Sequence, residues 1–218
     1  MANFEAVLFD WRGTLVVTLP EVEWMRRGLE RAGRDASPEQ ARRVLARIEQ
    51  APQLSRLWAD GVDSDPVMHR QAYFGVFQDA GLDPDLAAAL YEVESDPTHN
   101  PFAQDAGAVL RAIKAERVRV AVVSDIHFDI RPAFRRAGLE DLVDVFVLSF
   151  EHGVQKPQAE IFQLALKRLG VAPHRALMVG DRAGFDGAAV QLGLVTLLLP
   201  PLTGVDDRRL HHVQSLLG

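Results

Sequence analysis

Five short apolar runs, rich in Val, Leu and Phe, constrain the fold of this chain more than any other feature. Each run is too short for a helix and too continuous for a strand with one exposed face, which is typical of buried parallel strands. Helical patterns separate the later runs, as in residues 157–169. This alternation predicts an α/β fold with a doubly wound, Rossmann-like parallel sheet. The runs are Ala6–Phe9, Val118–Val123, Val145–Leu148, Ala176–Val179 and Val195–Leu199.

The segment from residue 17 to residue 100 interrupts this alternation, because it contains helix starts and no strand pattern. Ser37, Asp65 and Asp83 are each followed by proline, which is the arrangement of an N-cap residue with proline in the first helical turn. Apolar residues at helical spacing follow these starts. We therefore predict a helical cap domain, residues 17–100, inserted into a core domain of residues 1–16 and 101–218.

Composition narrows the partners that the chain can have. The formal net charge is −6, although 21 of the 24 basic residues are Arg, and an acidic balance offers no footprint for nucleic acid. The absence of Cys excludes disulfides and thiolate sites and fits a reducing compartment. No apolar run reaches the roughly 18 residues of a membrane span, and no secretory signal begins the sequence. We expect a cytoplasmic protein without nucleic-acid or membrane partners; the oligomeric state stays open.

Polar, oxygen-bearing residues end three of the predicted strands. They are Asp10, Ser124 and Asp181, and a lysine, Lys156, lies in a loop before the fourth strand. In an open parallel sheet the carboxyl ends of the strands meet in one crevice, where such folds bind ligands. A polar residue at any single strand end is common, so the combination carries the prediction. We expect these four side chains to converge.

Four motifs stand in order along the predicted core domain. They are Asp10-Trp11-Arg12-Gly13-Thr14-Leu15, then Ser124, then Lys156-Pro157, and finally Gly180-Asp181-Arg182-Ala183-Gly184-Phe185-Asp186. In this order the sequence resembles the haloacid dehalogenase superfamily of hydrolases, in its phosphatase-like branch with a helical cap of the first cap class. The resemblance covers the whole core and implies that the strand before Asp10 is central in the sheet.

The resemblance implies a phosphatase that acts on a small phosphorylated metabolite through an aspartyl-phosphate intermediate. Asp10 would be the nucleophile, which splits one difficult hydrolysis into two easier steps. Thr14, Ser124 and Lys156 would position the phosphoryl group and neutralise its charge.

The same resemblance implies Mg²⁺ as the cofactor. Octahedral Mg²⁺ prefers oxygen ligands and retains several waters. Its direct ligands would be Asp10, the backbone carbonyl of Arg12 and Asp181. Asp186 would assist from outside the ligand shell.

Arg12 departs from the family pattern. Phosphatases of the family carry a second Asp at this position, which protonates the leaving oxygen and later deprotonates the attacking water. A guanidinium has no acceptor and a pKa far above working pH, so it can do neither. Loss of a positioned acid–base group costs about 10² to 10⁴ in rate. His127, in a loop soon after Ser124, is a candidate replacement, although loop histidines are more often solvated.

Three interpretations of Arg12 remain open. It clamps an oxygen of a substrate with a good leaving group, or it marks a family member with altered, dehalogenase-like chemistry, or it marks a catalytically impaired phosphate-binding protein. Asp181 and Asp186 resemble the Mg²⁺-binding phosphatase form and not the metal-free dehalogenases, which argues against the second interpretation.

Overall fold

The computed structural model describes residues 4–217 of the chain. They form two compact units: one contains the residues up to Thr18 together with those from Asn100 onward, and the second is Leu19–His99. Within residues 4–217, no helix is both long enough and apolar enough to cross a membrane.

The second unit is helical. Its helices are α1 (Glu21–Arg31), α2 (Pro38–Glu49), α3 (Pro66–Asp79) and α4 (Pro84–Glu94). The three predicted helix starts are confirmed, because the side chains of Ser37, Asp65 and Asp83 each accept a hydrogen bond from a backbone N–H of the first turn. Short 3₁₀ segments at Leu54–Trp58, Val62–Ser64 and Pro97–His99 complete the unit.

The first unit is built on a five-stranded parallel sheet. Its strands are β1 (Ala6–Phe9), β2 (Arg119–Ser124), β3 (Val145–Leu148), β4 (Ala176–Gly180) and β5 (Val195–Leu198). The order is β3-β2-β1-β4-β5, so β1 is central. In this register Phe9 lies between Val122 of β2 and Val179 of β4. The predicted parallel sheet and the central place of its first strand are confirmed.

Successive side chains of β1 lie in two hydrophobic clusters, one on each face of the sheet, because side chains alternate between the two faces along a strand. Val7 and Phe9 lie in the cluster formed with α5 (Ala106–Ala115), α6 (Arg131–Arg136) and α8 (His211–Leu217). Ala6 and Leu8 lie in the cluster formed with α7 (Ala159–Leu169). Helices therefore cover both faces of the sheet, which makes the fold doubly wound.

The prediction of a buried fifth strand is wrong. β5 pairs only with β4 among the described strands, and Val195 and Leu198 are 46% and 43% exposed. An apolar run predicts that a segment forms a strand. It does not predict whether that strand is central or at the edge of the sheet, which depends on the strand order. Edge strands have one hydrogen-bonded neighbour and more exposed side chains.

Candidate active site

The carboxyl ends of the central strands carry the predicted polar residues. Asp10 follows β1 directly, and its N–H donates to the carbonyl of Val179 at 2.9 Å, so the ladder to β4 extends to this residue. Asp181 follows β4, and Ser124 is the last residue of β2. Asp10 and Ser124 are buried. The parallel register therefore places all three at the carboxyl-terminal edge of the sheet, where the strands end.

Lys156 joins this edge from a loop, with no exposed surface. Its Nζ donates to Oδ1 of Asp10 and, at 2.7 Å, to Oδ1 of Asp186. The Lys156–Pro157 peptide bond is cis. Burial alone would lower the pKa of Lys156, but the negative charges of Asp10, Asp125 and Asp186 outweigh it and raise that pKa. Lys156 is therefore a fixed cation in contact with the predicted nucleophile.

Asp186 is held on both oxygens. Oδ1 accepts from Lys156, and Oδ2 accepts from the N–H groups of Asp181 and Arg182 at 3.1 and 2.9 Å. A Cβ on Gly180 would overlap the Asp186 carboxylate. Glycine at the end of β4 thus allows the buried carboxylate to approach the backbone and to fix the turn that presents Asp181.

The turn after Asp10 is equally tight. The carbonyl of Trp11 accepts from the N–H groups of Thr14, Leu15 and Val16. Gly13 has a φ of +79°, and a Cβ at this position would overlap the Asp181 carboxylate. The Thr14 hydroxyl points back and donates to Oδ2 of Asp10 at 3.4 Å. Glycine is required here both by the left-handed backbone and by the close approach of Asp181.

Three carboxylates at this edge fit a divalent cation. Asp10, Asp181 and Asp186 each offer an oxygen within 4.8 Å of the others. Oδ1 of Asp181 is buried and has no hydrogen-bond partner among the described residues. Burial, with the charges of Asp10 and Asp186, raises the pKa of Asp181 to about 6, and burial also raises the pKa of Asp10. An all-oxygen set of crowded carboxylates suits a hard cation such as Mg²⁺, whose charge would relieve their repulsion.

The family of the chain follows from a comparison with known proteins. A family model described as haloacid dehalogenase-like hydrolase matches residues 4–191. The chain belongs to that family. Over 99 residues it is 35% identical to the ribulose-1,5-bisphosphate 5-phosphatase of Halopiger xanaduensis, an alignment that covers 44% of this chain and 41% of that protein. The chain spans about half, or less, of the length of the first curated relatives it matches.

Solved structures of haloacid dehalogenase-like proteins share the fold over the whole chain. The HAD phosphatase from Thermococcus onnurineus is 24% identical with a TM-score of 0.66, and the match covers 99% of this chain and 98% of that chain. The 2-haloacid dehalogenase from Pseudomonas syringae pv. Tomato is 22% identical with a TM-score of 0.66, and the match covers 98% of both chains. At these identities the likeness establishes the fold of this haloacid dehalogenase-like hydrolase and leaves its reaction to be argued from the site.

Arg12 of this haloacid dehalogenase-like hydrolase lies among aromatic rings. Its guanidinium carbon is 5.6 Å from the ring centroid of Trp11 and 5.4 Å from that of Phe128. Burial, together with the positive charge of Arg12, lowers the pKa of His127 to about 3. An imidazole with so low a pKa is neutral at pH 7, which argues against His127 as the acid that replaces the family Asp.

Two residues next to the site were missed by sequence reasoning. Asp125 has a buried side chain whose Oδ1 accepts from the backbone N–H of Lys156 at 2.8 Å, and whose Oδ2 accepts from Arg182 at 3.2 Å. Arg182 also lies over the ring of Phe185, with 4.0 Å from its guanidinium carbon to the centroid. The signal for Asp125 was available, since it directly follows Ser124 at a strand end.

Proposed function

We propose that this protein is a Mg²⁺-dependent phosphatase that hydrolyses a small phosphorylated metabolite through an aspartyl-phosphate on Asp10. The cluster of Asp10, Asp181 and Asp186 around the buried Lys156 carries this proposal, because it combines a nucleophile, a cation site and a fixed positive charge. We propose that the helical unit is the cap domain that selects the substrate. We also propose a cytoplasmic location, which suits a chain without Cys.

The reaction starts with Asp10, which is oriented on both oxygens. Lys156 holds Oδ1 and the Thr14 hydroxyl approaches Oδ2. One carboxylate oxygen attacks phosphorus, and the bond from phosphorus to the leaving oxygen breaks. Water then attacks the phosphorus of the acyl phosphate and gives up a proton to solvent, the bond to the Asp10 oxygen breaks, and inorganic phosphate leaves. Ser124 and Lys156 are proposed to neutralise the phosphoryl oxygens in both steps.

Asp10, the Arg12 carbonyl and Asp181 are proposed to hold Mg²⁺. The ion when bound would polarise the phosphoryl group as a Lewis acid and offset the charge of its oxygens. Asp186 is proposed to act from outside the ligand shell, where its oxygens accept from Lys156 and from two backbone N–H groups. Those contacts orient the peptide that carries Asp181.

Arg12 determines which substrates are hydrolysed well. No carboxyl group stands at this position to protonate the leaving oxygen, so that oxygen departs as an anion and takes its proton from solvent. Rates should therefore depend steeply on the acidity of the leaving alcohol. The guanidinium is proposed to hold an anionic oxygen of the substrate, since it is a permanent cation with several donors.

An aryl phosphate series tests the proposed function. Phosphate release from p-nitrophenyl phosphate should need Mg²⁺, should cease in Asp10→Asn, and should be faster than release from phenyl phosphate, whose leaving group is less acidic. Activity that survives in Asp10→Asn, or that persists in a chelator, would overturn the proposal.

A catalytically impaired phosphate-binding protein is the second candidate, and Arg12 in place of the family Asp favours it. This protein would bind inorganic phosphate in the presence of Mg²⁺ by calorimetry and release none from any aryl phosphate. Dehalogenase-like chemistry predicts something different, namely halide release from a 2-haloacid without added metal. Three assays on one preparation separate the three interpretations.

A further inference from the structure

The segment after β5 returns to the turn that follows Asp10. The N–H of Leu199 donates to the carbonyl of Gly180 at 2.9 Å, and the N–H of Leu202 donates to the carbonyl of Gly13 at 2.8 Å. Leu202 and Leu210 are buried in the core of the first unit. This segment lies beyond residue 191, where the match to the family model ends. It therefore adds contacts to the site that the family motifs do not include.

Arg209 makes the most direct of these contacts. Its Nη2 donates to the carbonyl of Thr14 at 2.9 Å and to that of Gly13 at 3.2 Å, while Nη1 donates to the carbonyl of Pro200. The Leu210 N–H that follows is fixed by Asp105 Oδ2 at 3.1 Å. One guanidinium thus ties the turn after the nucleophile to the segment that follows the sheet.

The carbonyls of the two residues that flank Arg12, Trp11 and Gly13, both accept hydrogen bonds. Trp11 accepts from three N–H groups of the turn, and Gly13 accepts from Leu202 and Arg209. Because peptide groups are planar, fixing the Trp11 and Gly13 carbonyls limits the rotation of the peptide between them. The peptide that carries the Arg12 carbonyl, a proposed Mg²⁺ ligand, is also held by the Gly13 N–H, which donates to the carbonyl of Val16 at 2.8 Å. Arg209 adds to this restraint by holding the Gly13 and Thr14 carbonyls that follow in the turn.

The surroundings of Arg209 also fit a role at the site. Burial lowers the pKa of Arg209, and the charges of Asp181, Asp105 and Asp207 counter that effect. Asp181 is the carboxylate that approaches Gly13 most closely. The guanidinium therefore contacts the carbonyl of the residue against which the Asp181 carboxylate lies.

We infer that Arg209 is a positioning residue of the active site: through the carbonyls of Gly13 and Thr14 it holds the turn after Asp10 so that the Arg12 carbonyl and Asp181 can share one cation. This inference rests on the proposed function. Arginine suits the task, because one planar group presents several donors in a fixed geometry, whereas an ammonium is a flexible point charge.

Three variants and the wild type test this role. Arg209→Ala removes the donors, and Arg209→Lys retains the positive charge without the planar guanidinium. Arg208→Ala is the matched control, because Arg208 donates to Gln104 Oε1 and is not one of the residues placed in the site. Mg²⁺ affinity is measured by calorimetry, and kcat and KM are measured with p-nitrophenyl phosphate. Deletion of a residue that orients a metal ligand typically weakens metal binding by about 10- to 100-fold.

We expect Arg209→Ala to bind Mg²⁺ about tenfold or more weakly and to lose kcat, with KM for the aryl phosphate nearly unchanged. Arg209→Lys should fall between Arg209→Ala and wild type, and millimolar guanidinium should partly restore Arg209→Ala. Arg208→Ala should match the wild type. Hydrogen exchange should speed up at residues 13–16 of Arg209→Ala while the sheet stays protected.

Wild-type Mg²⁺ affinity and kcat in Arg209→Ala would overturn the inference and leave the proposed function standing. If wild type itself neither binds Mg²⁺ nor hydrolyses the aryl phosphate, the proposed function fails instead. If Arg209→Ala does not fold, Arg209→Lys decides: weaker Mg²⁺ binding with an unchanged KM supports the role, and wild-type values of both refute it.

Discussion

Lys156 donates to Asp186 Oδ1 at 2.7 Å, and neither side chain has any exposed surface. The same ammonium also pairs with Asp10. Burying three ionised groups costs free energy that only their mutual attraction and hydrogen bonds offset. Well-packed apolar side chains often replace a buried ion pair without loss of stability, so stability alone does not explain this cluster, and a chemical role does.

Removal of the Lys156 charge should therefore destabilise the metal-free protein strongly. Lys156→Met keeps the stem but leaves the carboxylates of Asp10 and Asp186 buried without their cation, which typically costs about 3–5 kcal/mol. Urea unfolding in a chelator measures this, with Lys167→Met on the exposed face of α7 as the control. A midpoint in Lys156→Met equal to that of the control would contradict the ion-pair assignment.

The loss of stability in Lys156→Met should depend on pH, and the direction of that dependence follows from the pKa of Asp10. Burial already raises the pKa of Asp10, and loss of Lys156 would raise it further. A carboxyl group whose pKa is raised by folding destabilises the folded state above that pKa and ceases to do so once it is protonated. The stability gap between Lys156→Met and wild type should therefore narrow as the pH falls through the raised pKa of Asp10, as urea titrations at several pH values can check.

Gly180→Ala should disturb the site, whereas Gly184→Ala in the same motif should not. The new Cβ at position 180 would overlap the Asp186 carboxylate, but at position 184 it meets no described atom within 4 Å. Displacing Asp186 breaks its contacts with Lys156 and with the turn that carries Asp181. In Gly180→Ala we expect the free energy of unfolding to fall by about 1–3 kcal/mol, the usual cost of overpacking, and the activity to fall as well. In Gly184→Ala we expect neither change. Equal behaviour of the two variants would show that Asp186 moves without consequence.

Much of this arrangement is predictable because the patterns that specify it are local. Apolar runs identified the strands, and Ser37, Asp65 and Asp83 identified helix starts through their own side-chain hydrogen bonds. The position of a polar residue directly after a strand predicted that Asp10 and Asp181 lie at one edge, because parallel strands share their direction.

What the sequence did not reveal depends on distant contacts. Arg209 reaches the Thr14 carbonyl across 195 positions, and no spacing rule connects an arginine near the C-terminus to that turn. The exposure of β5 followed from its edge position, which only the strand order shows. The low pKa of His127 arises from burial and from Arg12, whereas the sequence alone showed a loop histidine with an ordinary pKa.

Asp181 should be required for Mg²⁺ binding. Its Oδ1 has no hydrogen-bond partner among residues 4–217, which leaves this oxygen available to the proposed cation. Calorimetric titration should show Mg²⁺ binding to wild type and to Arg12→Ala, since Arg12 would contribute only its carbonyl, but little binding to Asp181→Asn. Equal Mg²⁺ affinity in wild type and Asp181→Asn would remove Asp181 from the set of ligands.

Arg12→Asp should convert the protein into a faster phosphatase. The new carboxyl group supplies the second Asp that the resemblance to the phosphatase branch implies at this position, and a positioned group of this kind typically contributes about 10² to 10⁴ in rate. Steady-state rates with phenyl phosphate should rise by about 10² or more, and less with p-nitrophenyl phosphate, because a good leaving group needs less proton donation. Asp10→Asn should abolish turnover in both backgrounds, which excludes a contaminating enzyme.

A wild type that is already fast and slows in Arg12→Asp would show that the guanidinium binds the substrate or stabilises the transition state. Equal rates in both would place the proton transfer on another group.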